Sequence, residues 1–65
     1  MDTNALRGYI AKNGMTQDEV AKRIGMGRTT FWRKMKSGNF GLSEANELIR
    51  ILKIDEPNEI FFSKN

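Results

Sequence analysis

The 65-residue chain contains no cysteine and no histidine. The first absence excludes disulfide stapling and thiolate metal sites. The second removes the commonest general base and the commonest metal ligand. A chain this short buries only about 60% of its unfolded surface, which leaves little room for a catalytic pocket. The expectation is a non-enzymatic protein without metal or cofactor. No stretch approaches the roughly 18 consecutive apolar residues of a membrane span. Met1–Asp2–Thr3–Asn4 lacks the basic start and apolar run of a secretory leader. These absences point to a soluble, intracellular protein with no membrane partner.

What is present is an uneven distribution of charge. The net charge is +3. Residues 1–41 carry eight Lys/Arg (Arg7, Lys12, Lys22, Arg23, Arg28, Arg33, Lys34, Lys36) against Asp2, Asp18 and Glu19, a net of +5. Residues 42–65 carry Arg50, Lys53 and Lys64 against Glu44, Glu47, Asp55, Glu56 and Glu59, a net of −2. A basic first part and an acidic tail suit one face for a polyanion and another turned away from it. Ordinary surface charge is the plainer alternative.

Glycines divide the chain into pieces with helical periodicity. In Thr3–Asn13, Leu6, Tyr9 and Ile10 form one apolar stripe, with Asp2 or Thr3 as cap and Asn13–Gly14 as stop. In Thr16–Ile24, Thr16 and Glu19 have the form of a capping box, and Val20, Ala21 and Ile24 face inward. In Arg28–Lys36, ended by Ser37–Gly38, Phe31 and Met35 lie within about 40° of each other and form the core face. Thr29, Arg33 and Lys36 cluster on the opposite side, and Trp32 sits on the flank between.

The fourth piece, Ser43–Lys53, has Ser43 as its expected N-cap and Leu42 as a hydrophobic staple. Ala45, Leu48, Ile49 and Leu52 point inward. The fifth is a short helix or turn over Pro57–Phe62, with Pro57 suited to a first helical position. The expected core is Leu6, Ile10, Val20, Ala21, Ile24, Met26, Phe31, Met35, Leu42, Leu48, Ile49, Leu52, Ile54 and Ile60. The fold class is all-α: a compact bundle of about five short helices in a single domain spanning residues 1–65.

Two short helices separated by Gly25–Met26–Gly27 match the spacing of a helix-turn-helix. The stretch Thr16-Gln17-Asp18-Glu19-Val20-Ala21-Lys22-Arg23-Ile24-Gly25-Met26-Gly27-Arg28-Thr29-Thr30-Phe31 resembles the helix-turn-helix of the phage Cro/repressor (XRE) family. The match falls on Gln17, Val20, Ala21, Ile24, Gly25, Met26 and Phe31. The ending Ile51-Leu52-Lys53-Ile54-Asp55 followed by Glu59-Ile60-Phe61 is similar to the last helices of such domains. Two departures are Gly27, where the family often has a Ser or Thr cap, and Phe31, larger than the usual aliphatic residue.

The resemblance implies a lambda-repressor-like DNA-binding domain and a transcriptional regulator. It would be a Cro-like repressor that occupies double-stranded operator DNA, cytoplasmic and nucleoid-associated in a bacterial or phage-infected cell. It places base-facing positions at Arg28, Thr29 and Arg33, with Gly27 and Trp32 close by. The angular argument independently turns Thr29 and Arg33 outward and leaves Arg28 nearer the core side. An α-helix fits the major groove, and Arg can bond guanine O6 and N7 together.

Trp32 could pack on its own core edge, lie against sugar and phosphate, or touch a thymine methyl. The resemblance sets Gln17 against the DNA backbone. Gly27, Lys34, Lys36, Ser37 and Asn39 complete the expected backbone contacts. Lys22 and Arg23 read as a solvated face. Phe61 and Phe62 either cap the core or form a homodimer contact. No small-molecule effector is expected. From another functional class, the same helices could form a protein-interaction module, antitoxin-like or an anti-repressor partner, with an incidental basic face.

Overall fold

The first two helices begin where a side chain answers an open backbone N–H of the first turn. In the computed structural model, which describes residues 1–61, Asp2 caps α1 (Thr3–Lys12) by accepting from the Ala5 N–H at 3.0 Å. Thr16 and Glu19 cap α2 (Gln17–Arg23) reciprocally. The Glu19 N–H donates to Thr16 Oγ1 at 3.1 Å, and the Thr16 N–H donates to Glu19 Oε1 at 2.8 Å. Helix α3 (Arg28–Ser37) starts from Gly27, without a side-chain cap, and stops at Gly38, whose φ of 70° is left-handed.

The start of α4 (Leu42–Leu52) differs from the sequence-based expectation. Gly41, not Ser43, is its N-cap, and the Gly41 N–H donates to Glu44 Oε1 at 2.9 Å. Glu44 three residues on supplies the stronger acceptor, so the helix begins two residues earlier and Ser43 falls inside its first turn. This shift also removes Leu42 from the core. It is 68% exposed, neither core nor staple. The helix ends at Lys53, the only non-glycine with positive φ (53°) among the described residues. The short α5 (Pro57–Phe61) contributes Ile60 to the core. The expected Phe62 end lies outside the described residues.

The five helices enclose one core of Leu6, Ile10, Val20, Ala21, Phe31, Met35, Leu48, Leu52, Ile54 and Ile60. No strand occurs among the described residues. Ile24, Met26 and Ile49, expected inside, are half-buried against this cluster. Phe40, absent from the expected core, packs at a tilt on Phe31 with ring centroids 5.6 Å apart. It lies in a loop, where helical periodicity carries no information.

Three hydrogen bonds between distant residues fasten the bundle. The Asp2 N–H donates to Ile60 O at 2.8 Å. Thr3 Oγ1 donates to Met35 O at 2.9 Å. Asn13 Nδ2 donates to both Tyr9 O and Leu52 O, at 2.8 and 2.9 Å, joining the ends of α1 and α4.

Candidate nucleic-acid interface

Helices α2 and α3 meet through small and apolar residues, and this contact decides which side of α3 remains outside. Ala21 is 1% exposed, so the two backbones approach without a large side chain between them. Gly25 sits at φ 70°, a conformation that would strain a residue with a Cβ. The Met26 N–H closes the turn by donating to Ala21 O at 2.9 Å. Phe31 and Met35, each 1% exposed, anchor the inner face of α3.

The opposite face is open. Thr29, Arg33, Lys36 and Ser37 are exposed, as their angular positions require. Trp32 is 53% exposed, and Lys36 Nζ lies over its ring, 5.2 Å from the centroid. The indole and the ammonium thus lie together on the outer side of the helix. Arg28 is also outside, with a side chain 81% exposed. The helical angle alone set it toward the core. At the first helical position no preceding turn confines it, so it swings outward. No acidic residue occurs in α3.

Gln17, half-buried at the first position of α2, faces the start of α3 across a concavity of about 350 Å³. Asp18, Arg28, Thr29, Phe31 and Trp32 complete its lining. Gly27, at the mouth of α3, is exposed and has negative φ. Asn39 is exposed just beyond the end of α3, and its N–H donates to Lys34 O at 3.2 Å. Ser37 Oγ turns back to the same carbonyl at 3.4 Å.

Lys34 is directed elsewhere. Its Nζ donates to Glu44 Oε2 at 2.8 Å and Oε1 at 2.9 Å, with both side chains about two-thirds covered. The Lys34 hydrogen bond, then the Gly41 N–H, hold the Glu44 carboxyl below its ordinary value of 4.5. The charge that sequence counted toward a polyanion is thus largely engaged in joining α3 to α4. Lys22 and Arg23 are exposed on α2.

Asp18 was missed by sequence reasoning. Its Oδ1 lies 3.5 Å from Arg28 Nε, so an acid stands within the basic site. In sequence, an aspartate in the first turn of a helix reads as a partner of the helix dipole, which hides any other role.

Phe61, one half of the expected dimer contact, is half-buried against the core. Its companion Phe62 lies outside the described residues. No helix among the described residues is long and apolar enough to cross a membrane.

Residues 2–37, more than half of the chain, match the family model of bacterial regulatory proteins, Fis family. The matched span takes in α1, α2, the glycine turn and α3. No curated protein and no solved structure matches the chain.

Proposed function

The chain belongs to the Fis family of bacterial regulatory proteins, helix-turn-helix proteins that bind DNA, and we propose that it occupies an operator by laying α3 in the major groove. The observation that carries this reading is the two-sidedness of α3. Phe31 and Met35 are locked in the core, while the other side presents Arg28, Thr29, Arg33 and Lys36 with no acid on the helix.

Arg33, at the centre of the exposed face, bonds guanine O6 and N7. Thr29 offers its methyl to thymine, and Arg28 reads beside it. Trp32 lies along the flank. Gln17, the Gly27 N–H, Lys36, Ser37 and Asn39 grip the flanking phosphates. Lys34, already paired, contributes little to that grip.

The finer reading is a Cro-like repressor that acts by occupying its operator. It is supported by α4 and α5, which follow the matched span and pack on the same core. Two such copies bind a palindrome. Successive major-groove faces lie about 34–36 Å apart, and the described backbone of one copy extends 27 Å along its longest axis. The apolar surface available to a protein-interaction module is small. Trp32 and Leu42 are the exposed large apolar side chains among the described residues.

The test is selection of bound sites from random duplex DNA, followed by titration against salt. The expected result is a two-fold symmetric motif and a steep fall of affinity with rising salt. Absence of any enriched sequence would overturn the reading. Tight binding to a single half-site by one copy would overturn the dimer.

A further inference from the structure

An acid on a surface that must meet phosphates weakens binding unless it does something there. Asp18 is the one acid among the residues lining the concavity between α2 and α3. Its side chain is 61% exposed, so the fold does not require it for packing. The capping hydrogen bonds at this end of α2 are already made by Thr16 and Glu19. What Asp18 does touch is Arg28, through Nε at 3.5 Å.

We propose that Asp18 is a positioning residue that restricts Arg28 to reading guanine. This rests on the DNA-binding reading above. An unpartnered arginine at the first turn of an exposed helix can reach any acceptor, phosphates included. A guanidinium has five donors in a rigid planar fork. The contact with the carboxylate is made through Nε, which leaves the two terminal nitrogens for another acceptor. That pair fits the two acceptors of a guanine edge. The same negative charge repels phosphate oxygens, which disfavours a backbone contact by Arg28 at this point. Asp18 therefore trades general affinity for discrimination, the repulsive half of a specific interface.

Bound-site selection from random duplexes tests this, run on the wild-type chain, Asp18→Ala, Arg28→Ala and the double variant. Thermal unfolding checks that each is folded, and Asp18→Asn, which keeps the side chain's size, stands in if Asp18→Ala is not. Arg28→Ala should abolish guanine preference at one base pair of each half-site. Asp18→Ala should reduce preference at that same base pair by about tenfold, while raising affinity for random duplex. In the Arg28→Ala background, Asp18→Ala should change nothing further at that position.

The proposal fails if Asp18→Ala keeps the wild-type preference, or loses preference at a different base pair. It fails equally if Arg28→Ala leaves the guanine intact. A wild-type chain that enriches no sequence would defeat the operator reading itself. That outcome is distinct from an enriched motif that Asp18 does not influence.

Discussion

Helix α3 is tied to a neighbour near each end by an ion pair, and the two pairs are built for different ends. Toward its C-terminus, Lys34 meets both oxygens of Glu44 at 2.8 and 2.9 Å with both side chains two-thirds covered. Glu44 also accepts from the Gly41 N–H, so one carboxylate starts α4 and docks it on α3. At the N-terminus, Arg28 and Asp18 stand 3.5 Å apart in solvent. An exposed pair at that distance adds almost nothing to stability. Shielded and doubly bonded charges are structural. Charges exposed to this degree stay within reach of a ligand.

The largest expected effect comes from removing what both ends of α3 depend on. Phe31→Ala empties the inner face and should destabilise the protein by about 3–5 kcal/mol, measured by urea unfolding. A domain of this size has on the order of 3–10 kcal/mol in total, so the variant should be partly unfolded at room temperature. An unfolding free energy unchanged from the wild type would show that Phe31 is not what anchors α3 to the core.

Arg33→Ala probes the outer face instead. It should leave the unfolding curve unchanged and weaken binding by about 1–3 kcal/mol, at one base position of the selected motif. Lys36→Ala should weaken all sequences alike and lower the salt slope by about one. If the two variants behaved identically, the division between base reading and backbone grip along α3 would collapse.

Glu44→Gln acts on the structural pair and should lower stability by about 1 kcal/mol, after allowance for the third of each side chain that solvent still reaches. The pH dependence follows from the same residue. Its folded-state carboxyl is held below the ordinary 4.5 by Lys34 and Gly41. Its contribution is therefore complete above that value and is lost as pH falls through the depressed folded value. Melting temperatures from pH 7 to pH 3 should drop less steeply in Glu44→Gln than in the wild type. Equal slopes would mean that the pair does not stabilise the α3–α4 junction.

The smallest effect belongs to Gly27. Its φ is −65°, and an added Cβ would come no nearer than 4.0 Å to a neighbour, Thr30 Oγ1. Gly27→Ser should supply the missing cap of α3 and raise stability by a few tenths of a kcal/mol. A loss of stability would show that this N-terminus needs glycine for a reason beyond space.

Most of the helices were legible in the sequence because short-range chemistry places them. Thr16 and Glu19 mark one start, and Gly25 and Gly38 mark two stops. Those groups act within a turn of their own position. The start of α4 was misjudged because two rules compete within three residues there. Ser43 is a good cap by type, yet Glu44 reaching back to Gly41 is the arrangement adopted. The surface around α3 was legible at Thr29 and Arg33, whose angle turns them outward. It was not legible at Lys34, whose partner lies ten residues away across a loop, nor at Asp18.

The sequence by itself determined the all-helical order, the glycine turn between α2 and α3, and the burial of Phe31 and Met35. Each of these follows from periodicity or from the conformation a single residue permits. Only the tertiary structure decided which cations of α3 are shielded and which are exposed. Lys34 and Arg28 carry the same charge, and nothing local to either says that one is clasped by α4 while the other stands open beside Asp18. That distinction depends on which helix end folds back against which, because a charge is engaged or available according to the carboxylate that packing brings to it.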